Sequence, residues 1–216
     1  KADKSKSFST KVHLLYANLN PFYKSFLMIV SGPMSQNNFY VQNSRWLLIT
    51  TLLYFSSSFG QTFFIAIFAG AIREEFAISH TIWGTIYAIG TLSSAVLMFK
   101  FGGFADKKEP RRLGSIIIIS LAISCFGMML VQHAWILPLL IFGLRFFGQG
   151  FASHLSMVLC GRWFYKNRGR TVAVTSLGFA FGEALLPLIF VSIMGWIGWR
   201  YSWGIAALLL LLVALF

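Results

Sequence analysis

Long apolar runs separated by short polar segments are the main pattern of this chain. From Arg45 onward, six runs of about 20 apolar residues are each long enough to cross a bilayer as a helix. They cover residues 46–72, 81–101, 113–131, 135–160, 171–195 and 199–216. Because the connections are short, consecutive helices are expected to be antiparallel neighbours. The pattern predicts an all-α membrane protein with six transmembrane helices.

The first 44 residues have a different character. They combine lysines with Ser, Thr, Asn, Pro and Gly, and their apolar run at 26–30 is too short to span a membrane. We therefore expect an N-terminal cytoplasmic tail over 1–44 and a six-helix unit over 45–216. Since the chain opens on Lys1, Met34 is a candidate for the native start, which an N-terminal peptide from upstream of Met34 would reject.

The distribution of charge orients the helices. The net charge is +12, and the basic residues concentrate in alternate loops, around Lys107 and Lys166, whereas the opposite loops contain few. The positive-inside rule then places these loops and the N-terminus on the cytoplasmic side of the cell membrane. Basic residues confined to short loops form no continuous stripe for nucleic acid, so the expected partner of this charge is the lipid bilayer.

Aromatic and small residues are placed as a membrane bundle requires. Tryptophans lie near the ends of runs, where an interfacial belt is expected, at Trp135, Trp163, Trp196, Trp199 and Trp203. Glycine and alanine recur inside the fourth and fifth runs, as 143–152 and 178–184 show. Small residues let helix backbones approach closely in lipid, so we expect helix contacts there.

Two charged residues lie clearly inside the apolar runs, Arg145 and Glu183. Counted along each helix at about 1.5 Å per residue, they reach similar depths in the bilayer. In the functional interpretation, Arg145 binds a substrate carboxylate and Glu183 takes up a coupling proton. The alternative is a buried ion pair that only joins two helices. We expect the two side chains to lie within hydrogen-bonding reach or to face one shared opening.

Polar residues on the same helix faces extend this candidate site. Gln149 follows Arg145 by one turn, Tyr54 and Gln61 share a face of the first helix, and Tyr87 lies on a polar face of the second. These five residues are the predicted substrate-binding set. For each polar side chain, a hydrogen bond between helices is the structural alternative.

The sequence offers no recognisable catalytic or metal centre. Cys125 and Cys160 are expected to be buried free thiols, and no Cys and His spacing suits a metal or predicts a cofactor. An intramembrane serine protease needs Ser and His on facing helices, but Ser153 and His154 are neighbours on one helix. A water or glycerol channel would need two Asn-Pro-Ala half-helices, and only Asn20-Pro21 is present. We therefore expect that this protein is not an enzyme.

A charged loop joins the second and third runs. Its residues fit a pattern of Gly-x-x-x-Asp-basic followed by further basic residues, at Gly102, Asp106, Lys107, Arg111 and Arg112. This loop resembles the signature between the second and third helices of the major facilitator superfamily, although Glu109 stands where that family usually has glycine. The resemblance implies a gating loop in which Asp106 latches the outward-open state against a helix of the other half.

Other stretches resemble the same family. Residues 144–150 are similar to its fourth-helix arginine motif, and Gly178, Gly182 and Pro187 suit its fifth helix. Residues 162–169 resemble the following loop of the branch that transports oxalate, formate and other monocarboxylates. The resemblance covers 45–216.

What the resemblance implies is half of a transporter. Members have twelve helices in two six-helix halves, each half built of two inverted three-helix units, with the substrate between the halves. This chain would be the N-terminal half and would need a missing C-terminal half or a second chain. Its function would be secondary active symport or antiport of a small organic anion such as a monocarboxylate, by alternating access with proton coupling. Efflux of hydrophobic or cationic compounds, or a truncated half inactive alone, are the alternatives.

Overall fold

The computed structural model describes residues 36–215, with side chains from 39 to 215. The chain divides into two units between Ser44 and Arg45. Of the first unit, the described part contains the helix Gln36–Gln42. The predicted tail and the candidate start at Met34 fall largely or wholly outside the described residues.

The second unit is a bundle of long helices. Five segments are long and apolar enough to cross a membrane, and we call them the first to fifth spans: Ser44–Glu75, His80–Lys107, Pro110–Leu130, Ala134–Trp163 and Tyr165–Ala214. Their α-helices are Ser44–Ser57, Thr62–Glu75, His80–Phe101, Phe104–Lys107, Pro110–Leu130, Leu137–Gly143, Ser153–Trp163 and Arg168–Ala214, and Leu144–Ala152 is π-helical. The described residues thus form a multi-pass all-α membrane fold with five spans, where the sequence predicts six.

The fifth span contains both of the last two predicted runs. Its helix Arg168–Ala214 has 47 residues and is interrupted at Gly198, where φ is 80° and ψ is 165°. Phe190 before the interruption and Trp203 after it both pack on Phe64, with ring centroids 4.9 and 5.3 Å away. A straight helix would separate the two residues by about 20 Å. Gly198 therefore bends the chain sharply enough for both rings to reach one partner.

The first span is interrupted near its middle. The helix Ser44–Ser57 continues as a single 3₁₀ turn, Ser58–Gly60, and Gln61 is extended before a new α-helix begins at Thr62. The Ser57 hydroxyl donates to the Tyr54 carbonyl at 2.7 Å, a local bond that competes with helical pairing. The interruption leaves backbone groups near Gly60 free for other partners.

Glycines bring the helices of the bundle together, as the sequence predicts. A Cβ added to Gly60 would lie 2.1 Å from the Leu144 carbonyl oxygen, and one on Gly148 would lie 2.7 Å from the Gly60 Cα. On the fifth span, a Cβ on Gly178 or Gly182 would likewise collide with the first span. The first span therefore touches the fourth and fifth at backbone distance, which residues with a side chain would prevent.

Aromatic rings fill the centre of the bundle. The rings of Phe59, Phe64, Phe68, Phe190 and Trp203 are almost entirely buried and contact one another edge to face or tilted. The predicted place of Trp203 in an interfacial belt is therefore wrong. It lies near the start of a run, but the bend before it turns its ring into the core.

The two ends of the bundle differ in charge. We call the end with Arg45 and the loops 100–112 and 162–170 the basic end, and the end with residues 73–79, 131–134 and 196–200 the neutral end. At the neutral end, Arg200 donates to Glu75 Oε1 from Nε at 2.9 Å and from Nη2 at 2.6 Å.

Two further groups complete this contact at the neutral end. Trp199 Nε1 donates to Glu75 Oε2 at 2.6 Å, and Arg200 Nη1 donates to the carbonyls of Met129 and Val131. Glu75, Trp199 and Arg200 are called the clasp from here on. It ties together the ends of the first and third spans and the residues after the Gly198 bend.

Candidate binding site at the break in the first span

Arg145 is the centre of a small polar cluster that extends from the buried arginine to the exposed Thr62. It is 7% exposed, and its Nη1 donates to the Gly60 carbonyl at 3.3 Å and to Thr62 Oγ1 at 3.1 Å. Its guanidinium carbon lies 5.6 Å from the centre of the Tyr87 ring, and the Tyr87 hydroxyl donates to Thr62 Oγ1 at 3.0 Å. The cluster therefore joins the first, second and fourth spans.

The local backbone explains why these groups meet. Gly60 ends the 3₁₀ turn of the first span, so its carbonyl is available to Arg145 rather than to a helical N–H. Arg145 lies on the π-helical segment Leu144–Ala152. Interrupted helices at membrane depth and π-helical turns both recur at functional sites. The Gly60–Gly148 approach holds the two irregular segments against each other.

The charge of Arg145 has no anionic partner among the described residues. Its contacts are a carbonyl, a hydroxyl and an aromatic ring, all of them neutral. Its Nε is buried without a hydrogen-bond partner in residues 36–215, and so is the Ser58 hydroxyl oxygen. A buried charge without a counter-ion is costly in a membrane, so this site is electrostatically suited to an anion.

The other predicted substrate-binding residues lie at different distances from this cluster. Tyr87 belongs to it, and Gln61 precedes Thr62 and is half-buried. Gln149 is half-buried at the Gly60 crossing, where its backbone nitrogen lies 3.0 Å from a Cβ built on Gly60. Tyr87 therefore contacts Arg145, Gln149 lies one turn from it on the same span, and Gln61 lies between the two residues to which Arg145 donates.

Tyr54 is separate from the arginine cluster. Its ring stacks on Phe179 of the fifth span with centroids 5.4 Å apart. This contact joins the first and fifth spans one helical turn from Glu183.

Glu183 lies on the fifth span beside the same interruption, but it does not bond to Arg145. It follows Gly182, whose added Cβ would lie 2.1 Å from the Ser58 hydroxyl oxygen, so Glu183 is level with the break. The Glu183 side chain is exposed, and within the described residues the one ion pair is that of Glu75 with Arg200. The expected hydrogen-bonded contact is therefore absent, and a shared opening for the two charges stays a prediction.

Thr62 and the Gly60 carbonyl are the site groups that sequence reasoning missed. The signal was available, because three successive serines precede Phe59 and Gly60 in the middle of an otherwise apolar run. Such a stretch disfavours continuous helix. Helical phase alone assumes an unbroken helix and therefore does not point to Thr62.

The loop between the second and third spans makes its contacts through residues other than Asp106. Gly102 continues the second span, since its backbone nitrogen donates to the Met98 carbonyl at 2.8 Å. Ala105 is fully buried, and its carbonyl accepts a hydrogen bond from Arg162 Nη1 at 3.2 Å. The four charged residues of the predicted gating loop are all exposed: Asp106, Lys107, Arg111 and Arg112.

Comparison with known proteins identifies the family. The family model of the Major Facilitator Superfamily matches residues 50–216. A search of curated proteins gave no match. The matched range includes the break in the first span, the loop at 102–112 and Arg145. The chain therefore belongs to the Major Facilitator Superfamily and is a membrane transporter.

Proposed function

We propose that this chain is the N-terminal six-helix half of a secondary active transporter for a small organic anion, such as a monocarboxylate. Transport would proceed by alternating access and be coupled to protons. In this proposal Arg145 binds the substrate carboxylate, and the chain has no enzymatic activity.

The observation that supports an anionic substrate is the unpaired charge of Arg145. An arginine that is 7% exposed and whose guanidinium has only neutral contacts in the described part of the chain needs an anion to offset its burial. A carboxylate could accept two parallel hydrogen bonds from it. Thr62 and Tyr87 would then position the guanidinium, and Gln61 and Gln149 would offer further hydrogen bonds.

A six-crossing topology is part of the proposal. The helix Arg168–Ala214 would be about 70 Å long, more than twice a hydrocarbon core of about 30 Å. The non-helical Gly198 and the shared packing of Phe190 and Trp203 on Phe64 favour two antiparallel crossings. The six helices would form two inverted three-helix units.

The proposed orientation follows from the ends of the bundle. The basic end would face the cytoplasm of a cell-membrane protein, together with the N-terminus. A second six-helix unit, on the same chain or a partner chain, would close the cavity against this one. Asp106 would then meet a helix of that unit.

Glu183 is the proposed site of proton coupling. Its carboxyl group is level with the break in the first span and has no cationic partner among the described residues. A carboxyl group at that depth can gain or lose a proton without breaking an ion pair to Arg145. Separate residues would therefore bind the substrate and the proton.

Uptake by the complete transporter tests this function. Cells that express it should accumulate labelled formate or oxalate, with a rate that depends on external pH. Arg145→Ala should abolish uptake, and Glu183→Gln should leave substrate binding in place but flatten the pH dependence. If both variants transport like the wild type, the site assignment fails.

Efflux of a hydrophobic cation is the second candidate, because Glu183 is an unpaired acidic residue inside a span. A panel of cationic dyes in the same cells separates the two functions. Glu183-dependent dye export without carboxylate uptake would replace the anion proposal.

A further inference from the structure

We propose that a groove at the basic end binds an anionic phospholipid, with an acyl chain in its apolar interior and the phosphate between Arg45 and Arg111. The groove has a volume of about 540 Å³ and lies between the starts of the first and third spans and the ends of the fourth and fifth. That volume falls within the ~300–1,000 Å³ typical of small-molecule sites. The proposal is independent of which substrate the transporter moves.

The interior of the groove suits hydrocarbon. It is lined by apolar side chains from different spans, among them Ile49, Leu53, Ile118 and Leu159. Gly114 contributes no side chain, and a Cβ built on it would have one neighbour, the Leu155 side chain, at 3.9 Å. Part of the groove is therefore open because a glycine stands there. An acyl chain would cover this apolar surface.

The mouth of the groove suits a phosphate with a polar headgroup. Arg45 and Arg111 are exposed, and in the described part of the chain neither guanidinium has a hydrogen-bond or ion-pair partner. Free guanidinium groups bind phosphate through charge-assisted, often bidentate, hydrogen bonds. Glu109 also lines the mouth, where its carboxylate can accept a hydrogen bond from a headgroup hydroxyl. Phosphatidylglycerol offers both groups.

Two tryptophans place the mouth at headgroup depth. Trp46 and Trp163 both line the groove, and their rings meet edge to face with centroids 4.8 Å apart. Trp46 is 48% exposed. Tryptophan pairs of this kind favour the boundary between headgroups and hydrocarbon.

The positive charge around the groove favours an anionic lipid over a neutral one. The basic end has Arg45, five basic residues with two acidic ones at 100–112, and four basic residues at 162–170. At the neutral end, residues 73–79 and 196–200 contain two arginines and two glutamates, which balance. A leaflet rich in anionic lipid is therefore attracted to the end that contains the groove.

Native mass spectrometry of the purified, delipidated protein tests the proposal. Dioleoyl phosphatidylglycerol should form a one-to-one adduct, and dioleoyl phosphatidylcholine should bind far more weakly. Arg45→Ala with Arg111→Ala should weaken the phosphatidylglycerol adduct about thirtyfold, since each cation near an anionic lipid contributes about fivefold. Excess inorganic phosphate should not displace the lipid, because the acyl chain also binds.

The matched control is Lys108→Ala with Arg112→Ala, which removes the same amount of charge from the same end of the bundle but from residues outside the groove. It should weaken the adduct less than about threefold. Gly114→Leu fills the groove without removing charge and should also abolish the adduct, which keeps the test valid if the arginine variant folds poorly. Equal loss in both charge variants, an unchanged adduct in Gly114→Leu, or equal binding of phosphatidylcholine would overturn the proposal.

Discussion

Arg145 and Arg200 both donate to backbone carbonyls, yet their surroundings differ. Arg200, at the neutral end, has a carboxylate partner in Glu75 and a tryptophan ring 4.6 Å away. Arg145, at the break in the first span, has only neutral partners among the described residues. Arg200 is also the more exposed of the two, with 28% of its side chain accessible.

The comparison supports a structural role for Arg200 and, for Arg145, the binding role proposed above. The Arg200 charge is balanced within the protein and joins parts of the chain that are far apart in sequence. The charge of Arg145 is more deeply buried and unbalanced, which costs stability unless a ligand supplies the anion. We therefore expect substitutions at Arg200 to affect folding and substitutions at Arg145 to affect transport.

The largest expected effect is that of Arg145→Ala on transport. Loss of the guanidinium should lower carboxylate uptake at least about 100-fold, because a charge-assisted bidentate contact contributes roughly 3 kcal/mol or more. Its melting temperature in detergent should stay equal to the wild type or rise, since an unbalanced buried charge is removed. A clear fall in melting temperature with intact uptake would reverse the roles of the two arginines.

Gly60→Ala should have the largest effect on stability. Its Cβ would lie 2.1 Å from the Leu144 carbonyl oxygen, so the first and fourth spans must separate, at a cost of about 3 kcal/mol. Equilibrium unfolding in mixed micelles measures this. Gly70→Ala is the control in the same span, because a Cβ there has no neighbour within 4 Å. It should stabilise the helix slightly, and equal losses at both positions would refute the close crossing.

Arg200→Ala should destabilise the folded bundle by about 2 kcal/mol, because several charge-assisted hydrogen bonds are lost at a partly exposed site. Glu75→Gln should cost less, since the amide oxygen can still accept a hydrogen bond. A double-mutant cycle on melting in detergent measures the coupling. Additive effects would show that Arg200 and Glu75 are not coupled in the clasp, and uptake should change little in either variant.

The smallest expected effect concerns the turn after Glu75. Ala77 has a φ of 50°, a left-handed conformation that costs a residue with a side chain about 1 kcal/mol. Ala77→Gly should therefore raise the unfolding free energy by up to about 1 kcal/mol, as thermal melting in detergent can show. Ala71→Gly, in the helix before the turn, should instead lower it by a similar amount. A loss at Ala77 would contradict the turn geometry.

The sequence predicted most of the helical fold because hydrophobic length is a local property. The first four runs correspond to four spans, and glycines such as Gly148 and Gly182 lie at helix contacts as expected. The bend at Gly198 lies in the gap between the fifth and sixth predicted runs, 171–195 and 199–216, but the direction in which it turns the side chains that follow is set by tertiary packing. Trp203 was misplaced for that reason, because its burial depends on how the chain turns five residues earlier.

The residues of the candidate site were predicted in part. Helical phase placed Arg145 and Tyr87 on polar faces, which the structure brings into contact, and depth placed Glu183 at a level similar to that of Arg145. Phase could not show that the first helix stops at Gly60, so Thr62 was missed. Depth along a helix does not say in which direction around the helix a side chain points. The contact expected between Arg145 and Glu183 is therefore not observed, although the two residues were expected to differ little in depth.

The most direct test of the central claim is the equilibrium binding of a labelled carboxylate to the purified complete transporter, compared between wild type, Arg145→Gln and Arg200→Lys. Binding is measured without turnover, so coupling and gating do not enter. We expect Arg145→Gln to lose affinity about 100-fold or more, while Arg200→Lys stays within about threefold of the wild type. Full carboxylate affinity in a folded Arg145→Gln protein would contradict it.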